Sequence, residues 1–319
     1  MHEEPSPAVR GLHAAFGIRG IGYHFDETVP IDELPRLAAD PELLSRFKRG
    51  GHQCYARAHV SIAEQAILSA GKTLHNSALA ADAIDAVIIG TSELRDWKAF
   101  PEALAAEVLL ALCLKDILVV GVTMAGCANY ASALRMARNM IIAEGCRNIL
   151  VIETNQVRGD LDRVWATEKN AAYIFGDGAV SCIATAAANG DFRVLGMEQI
   201  VKPLPAGVQS TDFIANNVGG FRHVVSRALA QAGAEPEQVA KVFIHNINFH
   251  VAVGLVHAVG YHHEKLYARN IKRTAHVWGA DNLIGLHDYC AAENPPAGTL
   301  FLMLCQADTY FSAIVCEKR

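Results

Sequence analysis

Apolar and polar positions alternate along this chain between two kinds of pattern. Short unbroken runs of branched and small apolar residues, such as Ala86–Ile89, Ile117–Val120, Ile149–Ile152 and Val242–Ile244, read as strands, that at Ala86–Ile89 as a buried one. Between them lie segments with apolar residues three and four apart. Leu134, Ala137 and Ile141 repeat in this way, while Arg135, Arg138 and Glu144 fall on other faces. Gly145 is the predicted stop of that helix. Strands alternating with helices predict α/β layers.

One pattern occurs twice. In Ala66–Ser92 a helix is predicted to end near Gly71, a polar linker follows, and the Ala86–Ile89 strand runs into a small-residue loop. In Phe221–Asn248 a helix is predicted to end near Gly233, and after another polar linker a strand runs into His245–Asn246–Ile247–Asn248. A duplicated unit gives such a repeat. The Ala186–Phe192 stretch, with its Asn–Gly turn dipeptide, marks the expected boundary between halves at 1–187 and 188–319.

Composition narrows the class. The chain has 319 residues, 51% hydrophobic and 19% charged, enough for a large buried interior. A net charge of -5 without a Lys/Arg block argues against nucleic acid or an anionic membrane as partner. No apolar run approaches the roughly eighteen residues of a spanning helix. The polar, acidic start MHEEPSPAVRG is unlike a secretory or transit segment, so a soluble cytoplasmic protein is expected.

The eight cysteines are scattered, with no C-x-x-C. Cys182 in AVSCIAT and Cys305 in LFLMLCQ read as small buried hydrophobes, and no disulfide framework is expected. His257, His262 and His263 fit no spacing that sets several ligands on one helical face, so no metal site is expected.

Cys127 stands apart. It sits between Gly126 and Ala128, after a strand and at the start of a predicted helix. Free N–H groups and the helix dipole favour an anion there, and a thiol so placed ionises more readily. The small neighbours leave room for a carbonyl, and backbone N–H groups could hold an oxyanion. His245, just past its strand, could donate to a carbonyl or take a proton. Asp281 and Asn282 follow a Gly–Ala turn. Each residue alone has an ordinary structural role open to it: packing, a satisfied imidazole, a helix cap. Together, at three strand ends, a cysteine, a histidine and an Asp or Asn form a catalytic set.

The order MAGCANY, FGDGAV, FIHNIN, WGADN, preceded by IDAVIIGTS and KAFP, resembles the thiolase superfamily over nearly the whole chain. The nearest branch is the ketoacyl-ACP synthase III family with its relatives in specialised metabolism. The resemblance implies a duplicated thiolase-type fold of five layers, αβαβα, in a homodimer, acting without a cofactor. It implies that Cys127 accepts the acyl group and that His245 is the catalytic histidine. It also implies that Phe100 lines the partner subunit's acyl pocket, and that Gly176–Asp177–Gly178 form a structural turn. Trp97, Trp165, Tyr173 and Phe213 are further candidates for a pocket wall.

The chain departs from that family at several points. His-Gln-Ala-Asn is replaced by His245–Asn246–Ile247–Asn248. Ala280 falls where the family has its catalytic asparagine, with Asp281 next and Asn282 after it. The family's glycine-rich oxyanion turn reads Cys305–Phe311 here. A carboxylate would repel the enolate of a decarboxylative Claisen condensation but would support a histidine as general base. The expectation is therefore transfer of an acyl group from an ACP or coenzyme A thioester, through Cys127, to a small-molecule hydroxyl, amine or thiol. The family's usual contacts to coenzyme A are missing from Gly17–Phe25, which favours ACP. Two alternatives stay open: Claisen condensation, with Asn282 or Asn248 as third member, and a partner subunit of a heterodimeric synthase.

Overall fold

The computed structural model describes residues 15–92, 101–160, 162–166, 171–203 and 210–319. Its strands are β1 (Phe16–His24), β2 (Glu27–Pro30), β3 (Cys54–Arg57), β4 (Ala86–Gly90), β5 (Leu118–Val122), β6 (Asn148–Asn155) and β7 (Val164–Ala166). They continue with β8 (Ala171–Ile174), β9 (Gly178–Ala186), β10 (Phe192–Val201), β11 (Val239–Phe243), β12 (Leu300–Ala307) and β13 (Tyr310–Lys318). The longer helices are α1 (Pro41–Arg49), α2 (Ile62–Ser77), α3 (Pro101–Ala111), α4 (Asn129–Asn139), α5 (Ser210–Ala232), α6 (Phe249–Ala258) and α7 (Asp281–Glu293).

Nine strands join edge to edge in the order β11-β12-β13-β10-β1-β9-β6-β4-β5. The two halves of the chain supply the two ends of this order. They meet at β1, which pairs with β10 only from Phe16 to Ile18 and then runs on beside β9 to His24. Ala187–Asn189, within the Ala186–Phe192 stretch, forms the 3-10 turn linking β9 to β10.

The layers follow from side-chain alternation. On β6, Leu150 and Ile152 face a cluster with Ala66 and Ala70 of α2 and Val108 of α3. Ile149 and Val151 face the opposite way, toward Leu134 and Ala137 of α4. On β12, Leu302 and Leu304 pack with Phe221 and Val224 of α5 and Val256 of α6, while Phe301, Met303 and Cys305 turn to the shared interior with Leu283 and Leu286 of α7. Helix, sheet, helix, sheet, helix is the resulting stack. Both sheet faces are covered, which is why these strands read as unbroken apolar runs.

Each repeat is a helix, a 3-10 turn and a strand. The second helix ends at Ala232 with Gly233 at φ +63, as its sequence predicts. The first does not end near Gly71. It runs on to Ser77 and closes at Ala78 in the left-handed region, φ 51. Polar residues hold this last turn in place. Thr73 and Ser69 both reach the Ser181 hydroxyl, at 2.7 and 2.9 Å, and a Cβ at Gly20 of β1 would strike Ser77. A polar segment here is therefore buried helix and not linker.

Candidate active site

Past the edge strand β5 the chain becomes buried at Ala125 and turns into α4 through one 3-10 turn, Gly126–Ala128. Gly126 adopts φ +52, a conformation that costs little only for glycine, and a Cβ there would lie 3.1 Å from that of Ala307. Asn129, the first residue of α4, accepts the Ala125 N–H at 2.9 Å and so ties the strand end back to the helix. Cys127 is thereby set partly exposed immediately ahead of an eleven-residue helix. All eight cysteines are free. Cys182 and Cys305 are fully buried, and burial pushes both thiols up to about 12.

The group that meets the Cys127 sulfur is His276. Its Nε2 lies 3.3 Å from Sγ, and its Nδ1 lies 2.6 Å from Asp281 Oδ2. Asp281 is fixed in turn by three more N–H donors: Val277 N at 2.8 Å, Asn246 N at 2.9 Å and Asn246 Nδ2 at 2.9 Å. Burial works to raise its carboxyl. The charge on His276, its hydrogen bond and the nearby His245 ring outweigh this and bring it down to about 2. For His276, burial opposes the charged form, but its interactions with the Cys127 sulfur and the Asp281 carboxylate overcome it and lift the imidazole to about 10. A cysteine, an imidazole and a carboxylate thus form one connected line.

The FGDG element holds this line in place. His276 N donates to Ile174 O, and Gly176 N donates to His276 O, both at 2.9 Å. A Cβ at Gly176 would fall 2.5 Å from Thr274 O, and one at Gly178 would fall 2.8 Å from Val277 Cγ1. Asp177 is buried and accepts the N–H groups of Ala58 and Val157 together with both ends of the Arg163 guanidinium, at 2.9 and 2.7 Å. Ala275 and Trp278, on either side of the His276–Val277 pair, sit at φ 53 and φ 52, strained for non-glycine residues.

The other predicted residues are placed differently. His245 is buried beside His276, ring centroids 5.0 Å apart, with Nδ1 3.6 Å from Asp281 Oδ2. Its Nε2 accepts the backbone N–H of Gln306 at 2.9 Å. That fixes the neutral ring with its proton on Nδ1. Burial lowers its pKa first of all, with the nearby Asp281 carboxylate acting against the shift. Asn282 points away from the imidazoles and donates to Leu304 O at 2.9 Å and Cys305 Sγ at 3.1 Å. Asn248 caps α6, accepting the His250 N–H at 3.0 Å. Ala280 is buried in a 3-10 turn. Phe100 and Trp97 lie outside the described residues, as does the side chain of Phe213. Tyr173 meets the His276 ring edge-on at 5.2 Å and stacks on the exposed Trp165 at 6.0 Å, so an aromatic wall leads to the imidazole. Burial and then the nearby Cys127 raise the Tyr173 hydroxyl.

His276 was not among the residues singled out in the sequence. Its signal there is faint: a histidine five residues ahead of Asp281 in a run with no strand pattern. Ligating atoms of His245, His276 and Asp281 lie within 4.8 Å of one another, close enough to hold a cation. A metal would have to displace the hydrogen bonds that already occupy these atoms.

The family described as 3-Oxoacyl-[acyl-carrier-protein (ACP)] synthase III matches residues 123–203. A beta-ketoacyl-[acyl-carrier-protein] synthase III of Psychromonas ingrahamii is 26% identical over 208 residues, 59% of this chain and 63% of the relative. The match therefore spans less than two thirds of that protein's length. The 3-oxoacyl-[acyl-carrier-protein] synthase III of Aquifex aeolicus shares the fold at TM-score 0.79 and 20% identity, over 95% of this chain and 99% of that one. The acyltransferase ChlB3 does so at TM-score 0.83 and 18% identity, over 95% and 98%.

Proposed function

We propose that this chain, which is a KAS III-like protein of the thiolase superfamily, is an acyltransferase to a heteroatom. In this reading Cys127 receives an acyl group from an ACP or coenzyme A thioester and passes it to a hydroxyl, amine or thiol. The observation that carries the reading is the hydrogen-bonded line from Cys127 through His276 to Asp281.

The reaction divides into two balanced halves. The Cys127 thiolate attacks the thioester carbonyl, and a backbone N–H of the Gly126–Cys127 segment stabilises the oxyanion, the Ala128 N–H being already given to Ala125 O. The intermediate expels the carrier thiolate, which takes the proton from His276 Nε2. The sulfur is now uncharged, so the leading attraction that held His276 protonated is gone. The imidazole, oriented by Asp281, then accepts the acceptor's proton as its heteroatom attacks the acyl-cysteine. Collapse releases the product and restores the thiolate beside a protonated His276.

Condensation makes a different demand. An enolate oxygen needs N–H donors and no nearby carboxylate. Here His245 Nε2 is an acceptor toward Gln306, and Asp281 is ionised within the same cluster. The test is product analysis: acyl thioester with a panel of alcohols, amines and thiols, beside the same thioester with malonyl-ACP. Esters, amides or thioesters support the reading; a 3-oxoacyl product with carbon dioxide release overturns it.

We also propose a homodimer. Strand β5 is one edge of the sheet, and Leu118 on it is exposed (53%), as are Leu110 of α3 (78%) and Met124 just past β5 (86%). An exposed apolar edge invites pairing with a second copy. No helix among the described residues is long and apolar enough to cross a membrane.

A further inference from the structure

Glu153, near the end of β6, is a carboxyl group enclosed behind the nucleophile. It is fully buried. In the parallel ladder it stands opposite Gly90 of β4. A Cβ at Gly90 would fall 2.0 Å from its Oε2, and a Cβ at Gly279 would fall 3.1 Å from its Oε1. That same position at Gly279 is 3.1 Å from the Cys127 carbonyl oxygen. Glycines on two separate elements thus leave the space the carboxyl fills, and the nucleophile turn borders that space.

Its hydrogen bonding leads toward the same turn. Oε1 accepts from Asn155 Nδ2 at 2.8 Å, while Oε2 has no partner among the described residues. Asn155 Oδ1 accepts the Ser92 N–H at 2.7 Å. Asn129 Nδ2 reaches Ser92 Oγ at 3.4 Å, and Asn129 Oδ1 takes the Ala125 N–H. Among the described residues, the turns that border Glu153 carry Cys127 on one side and run between His276 and Asp281 on the other, and Cys305 on β12 is close enough to feel its charge.

We infer that Glu153 is a positioning residue which, as the neutral acid, seats the Gly279 turn against the Cys127 turn and so sets the distance from sulfur to imidazole. The inference rests on the acyl-transfer reading of Cys127 and His276. Burial pushes the carboxyl up to about 8, with only the Asn155 hydrogen bond acting the other way. Ionisation would bring an unpaired charge into a site that already holds Asp281 and the thiolate. Such a charge is expelled or forces its surroundings apart.

The test is the rate of acyl loading on Cys127, followed by intact-protein mass spectrometry from pH 6 to 10, in wild type, Glu153→Gln and Glu153→Ala. Melting curves at each pH report whether each variant is folded. Wild type is expected to slow at least fivefold between pH 7 and pH 9. Glu153→Gln, which keeps shape without an ionisable proton, should stay within about threefold of wild type at pH 7 and lose the alkaline decline. Folded Glu153→Ala should load at least tenfold more slowly at every pH. Equal pH profiles in wild type and Glu153→Gln would overturn the positioning role while leaving the acyl-transfer reading intact. No loading of wild type by any thioester at any pH would overturn both.

Discussion

His276 holds its Nε2 3.3 Å from the Cys127 sulfur, in the place where a His245 contact was expected. The two imidazoles share Asp281 but divide the work. His276 faces the thiol, and His245 spends its free lone pair on the Gln306 backbone.

That division predicts unequal losses on substitution. His276→Gln should lower kcat for acyl transfer by about 10²–10⁴-fold, the usual worth of a placed general acid–base group. His245→Gln should cost less, because it removes a neighbour and not the proton carrier. Steady-state kinetics of both variants decide it, and a larger loss in His245→Gln would reverse the assignment.

Asp281→Asn should slow acyl transfer by roughly 10²-fold or more, since an amide cannot both keep its N–H donors and orient His276. It should also alter stability with pH. The depressed carboxyl contributes stability that is present above its ordinary pKa and lost as pH falls toward about 2. The raised imidazole contributes stability that is present below its ordinary pKa of 6.5 and lost as pH rises through about 10. The pair therefore stabilises most between roughly pH 4 and 6.5. Denaturant titrations at pH 5 and pH 9 should show a wild-type advantage over Asp281→Asn that shrinks at the higher pH.

The buried pair of Arg163 and Asp177 supports the His276 segment without touching the thiol. Arg163→Met leaves a buried carboxylate with only backbone donors, a defect worth about 3–5 kcal/mol. Chemical denaturation should register that loss. Asp177→Asn combined with Arg163→Met should recover part of it, because no buried charge then remains.

Gly176→Ala puts a methyl 2.5 Å from the Thr274 carbonyl oxygen, so the segment carrying His276 must shift. Acyl transfer should fall by at least tenfold, as a misplacement near 1 Å costs on the order of 10²-fold. Gly71→Ala meets nothing within 4 Å and serves as the matched control. It should leave transfer unchanged and raise stability by about 0.5–1 kcal/mol, as expected inside a helix.

Much of this was legible in the residues. Two covered faces make apolar runs, so β4, β6 and β11 could be found from the sequence. Cys127 was legible because small neighbours at a strand-to-helix join are a local signal. Asp281 stood out by the same local reasoning, in the turn that opens α7. His276 was not legible. It is placed by a backbone bridge to Phe175, a hundred residues away in the chain, and by two non-glycine residues with positive φ, and neither leaves a periodic trace. Gly71 misled for a related reason: the helix continues past it because Ser69 and Thr73 find buried partners on β1 and β9 and Ser77 packs against Gly20. Glu153 was hidden in its strand, since only the Gly90 and Gly279 contacts reveal the cavity it fills.

The most direct measurement is intact-protein mass spectrometry of wild type, Cys127→Ala and His276→Gln after incubation with a panel of acyl-ACP and acyl-coenzyme A thioesters. Wild type should gain the mass of one acyl group, Cys127→Ala none, and His276→Gln should gain it at least a hundredfold more slowly. Acylation that persists in Cys127→Ala, or wild type that takes up no acyl group from any donor, would contradict the account.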